Sequence, residues 1–302
     1  MSFTIATMPN QQGKIFIVTG ANAGLGYETT KGLAQQKATV ILACRSEAKA
    51  NAAMDKIKKE ISDADLHFLK LDLTDLDSVR SFANAYKAKF SKLDVLINNA
   101  GVMIPPYSKT KDGFELQFGV NHLGHFLLTG LLLDVLKSTP NSRIVSLSSL
   151  AHKRGAIQFD DLNWEKRYSK MEAYQQSKLA CLMFALELQR KLEQANYNTI
   201  SVAAHPGISP TELARHVNKV LYVALYPLVL FMSHSAAKGA LPTLMAATLE
   251  GVKGGDYYGP TGNKERKGKA GKARISRRAK DEAVAQRLWE VSEEMVGFQY
   301  AF

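Results

Sequence analysis

With 302 residues the chain can bury one large α/β core or two small ones, and 46% apolar with 22% charged residues excludes a largely disordered polymer. Its formal charge of +11 is local: nine of the 39 Lys and Arg stand against Glu265 alone between Lys264 and Lys280, which leaves 30 basic and 27 acidic residues elsewhere. With no nucleic-acid-binding motif beside it, that stretch reads as a solvated loop, with contact to an anionic membrane or substrate as the second reading.

Met1 to Gln12 lacks the basic start, apolar run and cleavage site of an export signal. Cys44 and Cys181 match no metal or redox spacing, so free thiols in the cytoplasm are expected. From residue 14 onward, short β-branched runs alternate with longer helix-like segments, the pattern of βαβ units and a parallel sheet. The first strand, Lys14 to Thr19, leads through Gly20-Ala21-Asn22-Ala23-Gly24-Leu25-Gly26 into a helix over Leu25 to Gln36. Three glycines there permit a tight turn, let backbone approach a pyrophosphate and let the helix pack close to the sheet, with helix-end N–H groups facing the anion. A glycine triplet is a weak signal alone; on the first strand of an alternating chain it points to a dinucleotide. The second strand, Thr39 to Cys44, ends without a carboxylate, and Arg45 offers a planar fork of donors to a ribose 2′-phosphate. NADP is therefore expected over NAD, with Glu47 nearby as the one contrary feature.

A helix over Glu47 to Ile61 precedes the third strand, Leu66 to Leu71, and Asp75 is expected to cap the helix Leu76 to Phe90. The fourth strand, Leu93 to Asn98, runs into Asn99-Ala100-Gly101, and a long helix over Phe114 to Lys137 carries Asn121, His122 and His125. The two histidines stand three apart with no third ligand at useful spacing, so no metal site is expected. The fifth strand, Arg143 to Ser148, ends among Ser146, Ser148 and Ser149, and the helix Glu172 to Ala195 places Tyr174 and Lys178 one turn apart on one face. Tyr27/Lys31 and Tyr107/Lys111 share that spacing but lie in the first helix and in a Pro-Pro loop, and are read as decoys. After the strand Ile200 to His205 and Pro206-Gly207, the alternation breaks down through Pro210 and an apolar run, Val220 to Ser233. That run is 14 residues interrupted by Pro227, short of the roughly 20 that cross a bilayer. No transmembrane span is expected, while peripheral membrane contact stays open. A helix over Ser235 to Leu249, a weak strand over Asp256 to Tyr258 and a final amphipathic helix over Ala279 to Val296 complete the chain. Nothing divides it, so residues 1–302 are expected to form a single domain. Residues 207–280 are expected to cover a substrate beyond the carboxyl ends of the strands.

The Thr-Gly-x-x-x-Gly-x-Gly loop, Asn98-Asn99-Ala100-Gly101, Ser148-Ser149 and Tyr174-Gln175-Gln176-Ser177-Lys178, in this order and strand placement, resemble the short-chain dehydrogenase/reductase family over about residues 13–250. Ala43-Cys44-Arg45, Asn121-His122-Leu123-Gly124-His125-Phe126, His205-Pro206-Gly207 and Leu288-Trp289-Glu290-Val291-Ser292 resemble its retinol-dehydrogenase-like branch. The resemblance implies a Rossmann fold, a doubly wound parallel sheet of about seven strands with helices on both faces. It also implies NADP-dependent interconversion of an alcohol with a ketone or aldehyde. Alcohol oxidation must shed a hydroxyl proton as hydride leaves carbon. A phenol, which titrates near about 10, does this only when a neighbouring ammonium stabilises its phenolate. Tyr174 takes that part by resemblance, with Lys178 as the ammonium and ribose ligand. Ser149 holds the substrate oxygen, Ser148 being the alternative, and Asn121 anchors a water that leads protons toward the lysine.

Cofactor contacts carry over to Gly20, Asn22, Gly24, Leu25, Gly26, Arg45, Asp72, Leu73, Asn99, Ala100, Gly101, Tyr174, Lys178, Pro206, Gly207 and Thr211. Asp72 would read the adenine, and the Pro206-to-Thr211 segment the nicotinamide carboxamide. The long interval between Ser149 and Tyr174 brings His152, Arg154, Asp160, Asp161, Trp164 and Tyr168 toward a substrate. Family members pair through the helices bearing Asn121 and Tyr174, which implies a homo-oligomer. The apolar run, with Tyr222 and Tyr226, points to an apolar small-molecule substrate, with a core helix or oligomer contact as an equal alternative. A non-catalytic NADP-sensing binding protein is the reading from another class, and an intact Asn-Ser-Tyr-Lys set argues against it. A nucleotide-sugar epimerase is disfavoured by the glycine spacing.

Overall fold

The computed structural model describes residues 2–208 and 235–302. Pro210, Thr211, Tyr222, Tyr226 and the apolar run from Val220 to Ser233 lie outside the described residues. Among the described residues, one sheet of eight strands has the order β3-β2-β1-β4-β5-β6-β7-β8. The strands are β1 Ile15–Thr19, β2 Thr39–Cys44, β3 Leu66–Lys70, β4 Val95–Asn98, β5 Arg143–Leu147, β6 Ile200–Ala204, β7 Tyr257–Gly262 and β8 Lys267–Lys272. The first seven pair in parallel, and only β8 runs antiparallel, against β7. The strand order reverses between β1 and β4, and that reversal opens a crevice above their carboxyl ends.

Strands covered on both faces must be apolar at every position, and β1 shows it: Phe16, Ile17 and Val18 are all fully buried. Alternation sends Ile17, Ile41, Leu96 and Ile144 to one face. There they meet α3 Leu76–Lys89, the long helix α4 Leu116–Ser138 and α5 Lys170–Gln194. Phe16, Val40, Leu42 and Ile97 point to the other face, against α1 Gly24–Gln35, α2 Glu47–Glu60 and α6 Ala236–Thr248. Each such large side chain contributes about 1.5–3 kcal/mol by leaving water. Asp75 caps α3 as expected, accepting from the Asp77 N–H at 3.0 Å.

One feature differs from the sequence reading. The basic stretch is not all loop: Lys267–Lys272 is the eighth strand. Lys-Gly-Lys-Ala-Gly-Lys has no β-branched or aromatic residue to announce a strand, and its pairing comes from backbone, Gly259 opposite Gly271 and Pro260 opposite Ala270. Lysines on such an edge discourage further strand addition. The helices α4 and α5 are covered from outside as well. A last helix, α7 Glu282–Val296, packs on both from the side away from the sheet. Its Trp289 ring lies 5.0 Å from Phe126 and 5.8 Å from Phe184, and Tyr300 just beyond donates to the Phe126 carbonyl at 2.6 Å. The C-terminal segment thus covers part of the outer side of α4 and α5. The 23-residue α4 is apolar and long enough to cross a membrane, yet 83% of its apolar window is buried within the protein.

Candidate functional site

A cleft above the carboxyl ends of β1 and β4 gathers most of the residues singled out in the sequence. Its floor is the turn from β1 into α1. Gly20 and Gly24 hold left-handed backbone, with φ of +66° and +56°, which glycine alone adopts without strain. Gly26 is required for another reason. A Cβ there would lie 2.3 Å from the Gly20 carbonyl oxygen and 2.6 Å from Asn99 Nδ2. The first turn of α1 has no side-chain cap, so its N–H groups, together with the positive end of the helix dipole, face the cleft. An uncapped helix end behind backbone that excludes every side chain fits a pyrophosphate.

Thr19 ties this floor to the loop after β4. Its hydroxyl oxygen accepts from the Asn99 and Ala100 N–H groups, both at 2.9 Å, while Asn99 Nδ2 donates to the Thr19 carbonyl at 2.7 Å. Asn22, Leu25, Asn99, Ala100, Gly101 and Pro206 line the cleft alongside the three glycines. Arg45 stands exposed just past β2. The Gly20 N–H, donating to the Ala43 carbonyl at 2.9 Å, brings the two strand ends together. Asp72 and Leu73 lie at the end of β3, outside the cleft lining; the Asp72 carboxylate accepts from the Thr74 N–H and hydroxyl at 3.0 and 2.7 Å. Gly207, with φ of +77°, turns the chain after Pro206.

At the other end of the cleft α5 places Tyr174 and Lys178 on one face, both buried, with the ammonium 5.9 Å from the ring centre. Lys178 Nζ donates to the Leu147 carbonyl at 3.2 Å. A Cβ on Gly101 would stand 3.4 Å from that nitrogen and 3.1 Å from Asn121 Oδ1, so the glycine gives the lysine its opening to the cleft. The two decoy pairs are engaged elsewhere, Lys31 with Glu60 and Lys111 with Asp75. Asn121 lies beneath the lining in a π-helical turn of α4, Gly119–Leu123. It grips the Val102 backbone from both sides, accepting from its N–H at 2.8 Å and donating to its carbonyl at 3.0 Å. It also donates to Ser177 Oγ at 2.9 Å.

The serines divide. Ser148 lines the cleft, but its hydroxyl donates to the Lys178 carbonyl at 2.7 Å. Ser149 accepts from the Ala151 N–H at 3.3 Å and caps the short turn Leu150–Arg154, which leaves its own hydroxyl proton for another acceptor. Of the insertion, Tyr168 joins Gln117 in stapling the first turn of α4 to the start of α5: Gln117 Nε2 donates to Tyr168 Oη at 3.1 Å and to the Lys170 carbonyl at 2.9 Å. His152 is buried, and Arg154, Asp161 and Trp164 border a separate surface pocket.

The decisive likeness is to the short chain dehydrogenase family, which matches residues 14–221. The chain belongs to that family. Within it the chain is retinol-dehydrogenase-like, and it is an NAD(P)-dependent dehydrogenase acting on CH–OH groups. Human retinol dehydrogenase 11 is 44% identical over 287 residues, 94% of this chain and 86% of that relative. Mouse retinol dehydrogenase 12 is 42% identical over 95% of this chain and 88% of its own length. A crystal structure of an uncharacterised protein from Mycobacterium paratuberculosis superposes with a TM-score of 0.83 at 40% identity, covering 100% of both chains.

Sequence reasoning overlooked one part of this dehydrogenase site, the ring of His125. Its Nε2 lies 2.9 Å from Thr19 Oγ1 and its Nδ1 3.1 Å from the Asn121 carbonyl. The partner threonine is 106 positions away, and no local pattern signals such a contact.

Proposed function

We propose that this short chain dehydrogenase uses NADP to interconvert an apolar alcohol with its ketone or aldehyde, with Tyr174 as acid and base. One observation supports it above the rest: Tyr174 and Lys178 open into the same cleft as the glycine turn and Gly101. When bound, the dinucleotide supplies or takes the hydride. The chain's own residues manage the oxygen and its proton. Tyr174 exchanges a proton with the substrate oxygen, and the Lys178 ammonium favours the phenolate form. Ser149 donates its free hydroxyl proton to the same oxygen and holds it beside the phenol. Asn121 keeps Val102, and with it the cleft wall, fixed by two backbone bonds.

NADP is favoured by an exposed Arg45 at a strand end without a carboxylate. The names of the relatives, together with Val102 and Met103 in the lining, favour a retinoid-like or other apolar substrate. The hairpin of β7 and β8 bends back on the site, which supports residues 207–280 as its cover within a single domain. The Ile208 N–H donates to the Arg266 carbonyl at 2.9 Å, and Lys153, four residues past Ser149, pairs with Glu265 at 2.5 Å. Cys44 and Cys181 are buried free thiols, and burial pushes Cys44 up to about 11, which suits a reducing cytoplasm. Titration with NADPH and NADH, followed by NADPH absorbance over a panel of carbonyls, tests the reading. Tyr174→Phe should retain NADPH binding and lose turnover by about a hundredfold or more. Equal turnover in wild type and variant would end the assignment.

A further inference from the structure

We infer that His125 is a positioning residue for the dinucleotide, because its ring locks the Thr19 hydroxyl that holds the Asn99-Ala100 wall of the cleft and ties it to the Asn121 turn. This rests on the functional reading above. The proton positions follow from the partners. The Asn121 carbonyl only accepts, so Nδ1 carries the hydrogen. Burial holds the ring well below the ordinary histidine range, at about 4, so it is neutral and Nε2 presents a lone pair. Thr19 Oγ1 already accepts two backbone N–H bonds. Its proton is then directed to Nε2 at 2.9 Å rather than to the Ile97 carbonyl at 3.4 Å.

The Thr19 hydroxyl thus accepts two bonds and donates one, and it cannot rotate without breaking a bond. The Asn121 carbonyl is also reached by Cys181 Sγ from α5, at 3.1 Å. One ring thus joins the end of β1, the loop after β4 and the π turn of α4. His122 provides a control on the same helix. It is equally buried, but its Nε2 faces Ser292 Oγ of α7 at 2.8 Å, away from the cleft.

The test uses amides that each reproduce one ring nitrogen. His125→Gln can keep an acceptor toward Thr19, whereas His125→Asn keeps only the donor to Asn121. NADPH dissociation constants from quenching of protein fluorescence should rise about tenfold in His125→Asn, the effect of losing roughly one buried hydrogen bond. They should stay within about threefold of wild type in His125→Gln and His122→Asn, with Tm lowered in His122→Asn. Wild-type affinity in His125→Asn, an equal loss in His125→Gln, or an equal loss in His122→Asn would each overturn the inference. Wild type binding neither NADPH nor NADH would defeat the functional reading too, and shows itself before any substitution is made.

Discussion

Gly26→Ala tests the cofactor end most directly. The added methyl would meet the Gly20 carbonyl oxygen at 2.3 Å and Asn99 Nδ2 at 2.6 Å, more than about 1 Å inside ordinary contact. Neither neighbour is free to retreat. The Gly20 N–H is bonded to Ala43, and Asn99 Nδ2 to the Thr19 carbonyl at 2.7 Å. Overpacking of this kind costs about 1–3 kcal/mol. Because the strain falls on the loop proposed to cradle the pyrophosphate, NADPH affinity should fall roughly fivefold to a hundredfold. Gly32→Ala, on the same helix, would press only on a methyl of Leu244, at 2.9 Å, the end of a flexible side chain. Isothermal titration of both variants with NADPH, alongside their melting curves, separates binding from stability. Wild-type affinity in Gly26→Ala, or equal losses in both variants, would refute the role given to the glycine turn.

Arg45→Asp should weaken NADPH binding by about tenfold to a hundredfold, the value of a charge-assisted hydrogen bond, and leave NADH binding intact; competitive titration of the two dinucleotides checks it. Stability should fall with acid. Burial lowers His122 to about 3 and His125 to about 4, from an ordinary value of 6.5, so below pH 6.5 the unfolded chain binds protons that the folded chain refuses. The stabilisation is complete above pH 6.5 and is lost progressively toward pH 3 to 4. Tm measured from pH 7.5 to 4.5 should therefore decline, and His122→Asn should flatten the slope. Trp289→Ala, which empties the aromatic contact of α7 with Phe126 and Phe184, should destabilise by about 3–5 kcal/mol in urea unfolding.

The strands and helices that carry the site were readable because their signals are local. Apolar runs mark β1 through β6, glycine spacing marks the turn at Gly20 to Gly26, and one helical turn separates Tyr174 from Lys178. What was misread or missed depends on distant partners. β8 forms through backbone pairing with β7 and has no side-chain pattern of its own. The cover that α7 lays over α4 and α5 comes from far along the chain, and no local pattern announces it. Ser148 and Ser149 are neighbours in a run of serines, and only the Lys178 carbonyl, supplied by another element, distinguishes them.

The order of residues alone therefore determined the fold class, the dinucleotide turn and the tyrosine–lysine pair, because each is specified within a few residues by backbone sterics and helical period. Tertiary structure alone decided which serine hydroxyl is spent on backbone and how His125 connects Thr19 with Asn121. Hydrogen bonds between side chains about a hundred positions apart exist only once the sheet has brought the strand ends together.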